Sequence, residues 1–406
     1  MNHSYFTLQL IFWIALFVVF YTYIGYGLLL YLLVRVKEAF AKPRPTPTGS
    51  ERPDVTLFIT AYNEAEVVDA KMENSLALDY PREKLHIVWV TDGTTDDTNQ
   101  RLRTRWAGAA TVLFAPERQG KTAAMTRGMK LIETPIVVFT DANTMLNREA
   151  VSRIVHAFEN PQVGCVAGEK RIAVQTRDGA AAGGEGLYWR YESTLKALDA
   201  RLYSAVGAAG ELFAVRRELF EEMERDTLLD DFVLSLRIAM KGYLIAYCSD
   251  AYALESGSAD MREEQKRKVR IAAGGLQSIW RLRPLLNPLR YGVLSFQYIS
   301  HRVLRWSLTP ILMFALLPLN IILLKLLYAT AQAPTGIVVL YGGLLLMQVL
   351  FYLAGWWGYY LSSHQLKNKL FFVPYYFLFM NINVLKGIGY LRKRRGNGAW
   401  ERARRA

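Results

Sequence analysis

Residues 6–34 contain no charged side chain. As an α-helix rising about 1.5 Å per residue, such a run is longer than the roughly 30 Å of bilayer hydrocarbon, so it reads as one spanning helix. A secretory signal would have a shorter apolar part, a basic start and a small-residue cleavage site, none of which is present. Arg35, Lys37, Lys42, Arg44 and Arg52 follow closely. Basic residues collect on the cytoplasmic flank of membrane helices, which places residue 35 onward in the cytoplasm and the N-terminus outside.

Two further uncharged runs, 307–324 and 326–363, are separated by the polar turn AQAPTG and predict two more spans over 307–363. The run 370–385 is short for a span and contains Pro374. If it crossed, Arg392, Lys393, Arg394, Arg395, Arg402, Arg404 and Arg405 would lie outside, so 364–406 is expected to be an interfacial segment with a basic cytoplasmic tail. Between the first span and the next motif, 35–53 reads as a cytoplasmic linker, since KPRPTPTGS favours an extended chain. Residues 291–306 interleave Tyr298, His301, Arg302 and Arg305 with apolar positions and predict an amphipathic helix on the membrane surface.

This placement accounts for the charge. The net formal charge of +13 comes largely from basic residues beside membrane segments, which suits an anionic leaflet and argues against nucleic acid as a partner. The two cysteines, Cys165 and Cys248, lack metal-site spacing and fit a reducing compartment.

Residues 54–290 form the soluble part. The apolar runs VTLFIT, LHIVWV, TVLFA and IVVFT are each followed by polar residues and a helix-like stretch. That alternation predicts an α/β domain with a parallel sheet covered by helices on both faces. Ligands of such sheets bind at the carboxyl ends of the strands, and there the sequence reads TAYNEAE, TDGTTDDT and TDAN. Asn63, Glu64, Asp92 and Asp141 therefore gather at one edge. A single strand-end acid is usually a helix cap; several from separate strands point to a polar ligand. Asp141 and Asn143 project to the same side of an extended segment and suit Mg²⁺ or Mn²⁺ on a diphosphate.

The ordered series AYNE, DGTTDDT, GKTAA, DAN, GAAGELFAVRREL, LDDFVLSLRIAMKGY and RKVRI resembles family 2 glycosyltransferases. With its membrane segments, the chain is similar to the cellulose, hyaluronan, chitin and poly-N-acetylglucosamine synthase branch. The resemblance implies a GT-A (Rossmann-like) fold, inverting transfer from a nucleotide sugar, usually UDP-linked, and a divalent metal. It implies that Tyr62, Glu64, Asp92 and Lys121 bind the donor, that Asp141 and Asn143 match the DxD motif, and that Asp231, preceded by Asp230, is the catalytic base. Arg270 matches the Arg of the QxxRW motif, while Arg267 and Ile271 replace its Gln and Trp. Both guanidinium groups are expected to stabilise the leaving diphosphate. Gly207 and Gly210 are expected to let the backbone approach the acceptor closely. The chain is thus expected to be a multi-pass protein of the cell membrane with a cytoplasmic catalytic domain. It would add sugars to a membrane-associated glycan or lipid-linked acceptor, polymerising and exporting the product, alone or with accessory secretion proteins. The alternatives are a single transfer to a lipid and a silent nucleotide-sugar-binding partner of a synthase.

Overall fold

The computed structural model describes residues 3–41, 52–173, 180–257, 260–329, 334–364 and 369–393. Residues 42–51, the first half of the AQAPTG turn (331–333) and the tail beyond Lys393 lie outside the described residues.

Eight strands form one mixed sheet: β1 Val55–Ala61, β2 Leu85–Asp92, β3 Thr111–Ala115, β4 Ile136–Asp141, β5 Met145–Leu146, β6 Val163–Ala173, β7 Leu212–Arg216 and β8 Leu244–Ser256. Their order is β3-β2-β1-β4-β7-β6-β8-β5. The first four apolar runs are the parallel strands the sequence predicts. Beyond β4 the expectation of a wholly parallel sheet fails, because β7 pairs antiparallel with both β4 and β6. The chain order reverses between β1 and β4, so a crevice opens outside their carboxyl ends, where Asn63 and Asp141 lie.

Central strands are apolar on both sides because both sheet faces are covered. Phe58, Val90, Phe139 and Phe213 pack on one face with α5 Lys121–Met129 and α8 Asp230–Met240. Leu57, Ile59, Trp89 and Val138 pack on the other with α3 Val68–Leu76, α4 Thr98–Thr104 and α6 Ala150–Ala157. The long helices α7 Ala180–Leu202 and α9 Met261–Arg281 connect this domain to the apolar helices.

Those begin with α1 His3–Phe20 and α2 Tyr26–Phe40, joined through a π-helical turn at Tyr21–Gly25. After α10 Pro288–Tyr298 and the short α11 Leu304–Trp306 come α12 Leu308–Ala329, α13 Thr335–Ser363 and α14 Lys369–Lys393. Among the described residues, four helices are long and apolar enough to cross a membrane: Tyr5–Phe40, Leu308–Ala329, Thr335–Ser363 and Leu370–Lys393. Helices α1, α12 and α13 form a three-helix cluster around Phe12, Leu316, Leu323 and Tyr341. Helix α2 instead packs Tyr26, Leu30 and Val34 on Leu195 and Leu198 of α7.

Helix α14 departs from the short run read in the sequence. It continues through Lys386 to 25 residues. It is also flanked by protein: a Cβ at Gly358 of α13 would lie 2.1 Å from the Phe371 carbonyl, and one at Gly387 would lie 2.8 Å from the Ala272 Cβ of α9. The Tyr376 hydroxyl reaches Glu264 Oε1 of α9 at 3.2 Å. The segment 291–306 differs too. It bends at Gly292 (φ +51°) and runs through a π-helical turn, with Tyr298, His301, Arg302 and Arg305 buried while Leu289 and Val293 face outward. Its polar face meets protein, because buried carboxylates of α7 await it.

Candidate active site

The carboxyl edge of the sheet is assembled from short loops that fix one another. Asn63 adopts φ +53°, and its Oδ1 accepts from the Thr95 amide at 2.8 Å. The Glu64 amide donates to Thr98 Oγ1 at 2.9 Å. At the end of β2, buried Asp92 accepts from the amides of Gln119 and Gly120 at 2.9 and 2.7 Å. Gly120 needs its φ of +95° to turn the chain into α5. Helix α5 thereby presents Lys121 to the end of β4. The Arg118 guanidinium lies over the Tyr62 ring, 3.7 Å from its centroid. Tyr62, Glu64 and Asp92 thus sit at the same edge as Asp141, in the loops that follow β1 and β2.

A cavity of about 650 Å³ adjoins this edge and is lined by Lys121, Asp141, Gly210, Asp230, Asp231, Arg267 and Arg270. Lys121 Nζ donates to Asp141 Oδ1 at 2.9 Å and lies 3.6 Å from Asp230 Oδ2. Burial alone would lower the Lys121 pKa, but Asp141 and then Asp230 and Asp231 outweigh it and hold the ammonium above its ordinary value. Asp230 and Asp231 begin α8, where the helix dipole favours acids. Even so, burial and, after it, the Asp230 carboxylate push Asp231 up to about 7. A carboxyl titrating near neutrality can both take and return a proton at working pH.

Gly210 and Gly207 separate in role. A Cβ on Gly210 would lie 3.2 Å from Lys121 Nζ and 3.4 Å from Asp231 Oδ2, so its hydrogen keeps the space between them open. Gly207 does not line the cavity. It has φ +88°, and a Cβ there would meet the Phe232 ring at 2.2 Å, so it serves packing. Arg267 lines the cavity, but its guanidinium lies 3.3 Å from Glu211 and 3.4 Å from Glu255, which also hold buried Lys170. Arg270 is half-buried beside Asp141 and Asp230, and desolvation, then Arg267, lowers its pKa.

Three groups of residues escaped the sequence reading. Lys71 of α3 is fully buried beneath Asp141, donating to Thr140 Oγ1 at 3.0 Å and the Thr144 carbonyl at 2.6 Å. Burial pushes it down to about 7. The signal was present: Val68, Lys71, Met72 and Ser75 share helical spacing, which puts Lys71 on the buried stripe. Second, Glu192 of α7 accepts from His301, Arg302 and Arg305, and His301 also meets Asp199 at 2.6 Å, in turn bonded to Tyr26 of α2. Third, Trp189 stands in the cavity wall with the ammonium groups of Lys170, Lys268 and Lys196 at 5.1, 5.7 and 5.8 Å from its ring centroid.

A divalent metal would have to use Asp141 and Asn143. Among the described residues no group of three or more His, Cys, Asp or Glu gathers to hold one. The Asp141 side chain remains 28% exposed, and no described residue donates to its Oδ2. The donor set fits an ion that takes most of its ligands from phosphate and water, as Mg²⁺ and Mn²⁺ do.

Fold and site together define a GT-A glycosyltransferase domain built against apolar helices. Residues 53–274 match the family described as glycosyltransferase like family 2, and the chain belongs to that family. Among curated proteins it is 25% identical over 248 residues to the poly-beta-1,6-N-acetyl-D-glucosamine synthase of Staphylococcus aureus, covering 59% of this chain and 58% of the synthase. The Staphylococcus epidermidis synthase is 24% identical over 236 residues, with 56% of each chain covered. The chain thus spans less than two thirds of the length of these relatives. Among solved structures, a mannosyltransferase of Pyrobaculum calidifontis, determined with GDP-Man and Mn²⁺, superposes with a TM-score of 0.64 at 23% identity, covering 94% of this chain and 99% of that one. That likeness extends the shared fold through the apolar helices.

Proposed function

We propose that this protein is an inverting glycosyltransferase that transfers a sugar from a nucleotide sugar to a hydroxyl of a membrane-associated acceptor, with its catalytic domain on the cytoplasmic face of the cell membrane. The observation that carries this reading is the convergence of Lys121, Asp141, Asp230 and Asp231 on one cavity at the carboxyl edge of the sheet. The likeness to poly-N-acetylglucosamine synthases favours a UDP-linked N-acetylhexosamine as donor. In this reading Tyr62, Glu64 and Asp92 hold the nucleoside, and Lys121, Asp141 and Arg270 hold the diphosphate.

The acceptor hydroxyl attacks the anomeric carbon while its proton passes to a carboxylate oxygen of Asp231, and the bond from that carbon to the diphosphate breaks. Asp231 suits the task because burial makes it more basic than an ordinary Asp. Lys121 and Arg270 neutralise the charge that develops on the leaving diphosphate. Mg²⁺ or Mn²⁺, held by Asp141 and Asn143, would add positive charge at the same oxygens. Arg267 contributes chiefly by fixing Glu211 and Glu255, which keeps the buried end of α9 in place.

In the membrane, α14 is best read as lying in the interface, since it runs along α9 of the catalytic domain. That keeps the basic C-terminal tail cytoplasmic. Purified protein given UDP-N-acetylglucosamine, UDP-glucose and GDP-mannose, with and without Mg²⁺ or Mn²⁺, should release nucleotide from one of them in a metal-dependent way. Absence of release from every donor, with added acceptor lipids, would leave the silent-partner reading in its place.

A further inference from the structure

The cavity that begins at Asp231 does not end inside the catalytic domain. It continues past Ile271 to Phe20 and Ile24 on one side and Val373 and Phe377 on the other, in a cleft between the first apolar helix and α14. Phe20, Ile24 and Val373 line it and are also 50%, 53% and 49% exposed on the outer apolar surface. The cleft therefore opens sideways, at the level where the chain faces lipid. No residue of α12 or α13 lines it, because those helices are packed into the separate cluster around Phe12 and Tyr341. The shape is that of an apolar side entrance rather than a polar conduit running between the spanning helices.

The polar end of the cavity carries a second observation. Lys196 of α7 lines it and is 96% buried, at 4% exposure. Among the described residues its ammonium makes no hydrogen bond or close ion pair; the Trp189 ring lies at 5.8 Å, and the carboxylates of Glu192, Glu169 and Glu211 act on it from farther away. Burial and then Arg302 disfavour its charge, and Glu192, Glu169 and Glu211 offset this only in part, so an ammonium without a direct ionic partner is costly here. An anion entering the cavity would remove that cost. Seven cationic side chains and five carboxylates line the cavity, so its wall has positive charge to spare.

We infer that the acceptor is a phosphate-linked glycolipid, which enters from the bilayer with its hydrocarbon chain in the cleft between Phe20 and Val373 and its phosphate at Lys196. The inference rests on the glycosyltransferase reading above and names the acceptor of that same site. Because Asp231 is placed to accept a proton, the nucleophile is a hydroxyl of a sugar carried by the lipid and not a phosphate oxygen, which is mostly deprotonated at neutral pH and needs no base. The new bond joins that oxygen to the donor's anomeric carbon, the proton goes to Asp231, and the nucleoside diphosphate leaves with the electron pair of the broken bond. Ile271, where the resembling synthases have a Trp, then faces hydrocarbon instead of an acceptor sugar ring.

The test uses the full-length protein in nanodiscs with the donor that supports nucleotide release. Phytanyl diphosphate-linked N-acetylglucosamine is compared with shorter alkyl diphosphate analogues and with methyl N-acetylglucosaminide, which has neither lipid nor phosphate. The phytanyl acceptor should be preferred by 100-fold or more in kcat/KM. Shortening the chain should cost up to roughly fourfold per buried methylene. Lys196→Gln should raise KM for the lipid acceptor about tenfold or more with a smaller change in kcat, as expected for loss of a charged hydrogen bond worth roughly 1.5–3 kcal/mol. Val373→Trp should lower kcat/KM for long chains more than for short ones. Donor turnover with equal use of the methyl glycoside and no chain-length dependence would overturn the inference and leave the glycosyltransferase reading standing. Failure of every donor with every acceptor would overturn that reading, and the inference with it.

Discussion

Replacing Asp231 with Asn keeps the shape of the side chain and removes its charge, and the structure makes two effects of opposite sign depend on that charge. Loss of a general base typically costs about 10²- to 10⁴-fold in rate, or roughly 3–5 kcal/mol of barrier. Stability should move the other way. Burial, followed by the Asp230 carboxylate, raises the Asp231 pKa from 3.8 to about 7, so the folded protein holds this proton more tightly than the unfolded chain does. Between those values the native state binds more protons, and stability falls as pH rises. Above pH 7 the full penalty of a buried carboxylate is present; at about 1.4 kcal/mol for each pH unit between the folded and unfolded values, it is bounded at about 4 kcal/mol. Asp231→Asn should therefore be more stable than the parent at pH 8, with the gain fading as pH falls through 7 toward 4. Thermal unfolding of detergent-purified protein at pH 5 and pH 8, paired with nucleotide release at pH 8, reads both effects. A variant that loses activity together with stability at pH 8 would refute the base assignment, since a structural cap behaves that way and a strained catalytic carboxylate does not.

Three other outcomes follow from particular contacts. Asp141→Ala should raise the KM for the donor and flatten the Mn²⁺ response, because Asp141 positions Lys121 and is the carboxylate assigned to the ion; donor titrations at graded Mn²⁺ check this. Gly207→Ala should destabilise the domain by about 2 kcal/mol or more, since it combines a left-handed backbone with overlap on Phe232, whereas Gly210→Ala should leave the unfolding midpoint nearly unchanged and slow turnover by crowding Lys121 and Asp231. His301→Phe should cost about 1–3 kcal/mol by removing one buried hydrogen bond each from Asp199 and Glu192, which keep Tyr26 and Gln297, and Arg302 and Arg305, respectively; a lowered unfolding midpoint measures it.

Local chemistry was legible wherever it was written in consecutive residues. Runs such as VTLFIT and IVVFT are apolar on both faces because helices cover both sides of the sheet, and that pattern has no other comfortable home in a domain of this size. The acids at strand ends were legible for the same reason, since strand position fixes where they emerge. Strand β8 was less so. It pairs parallel with β6 through a register shift near Gly168 and carries Ser249 and Asp250 at an exposed stretch, so its apolar alternation is interrupted where the sheet edge meets solvent.

What the sequence hid depends on contacts between distant segments. His301 and Arg305 read as headgroup-facing residues because nothing near them in sequence reveals that Glu192 and Asp199, about a hundred positions earlier, stand opposite. The same holds for Lys196, an ordinary helix lysine until the fold buries it in a cavity wall, and for Phe20 and Val373, which are unremarkable apolar residues taken singly. These features share a location. The buried ion network ties α7 to the segment that leads into α12, the Lys170 and Arg267 network ties α9 to the sheet, and the cleft lies between the elements they hold. A polar frame around an apolar opening holds Asp231 in place relative to the apolar helices. That is the geometry the inferred lipid-borne acceptor requires, with its donor arriving from water.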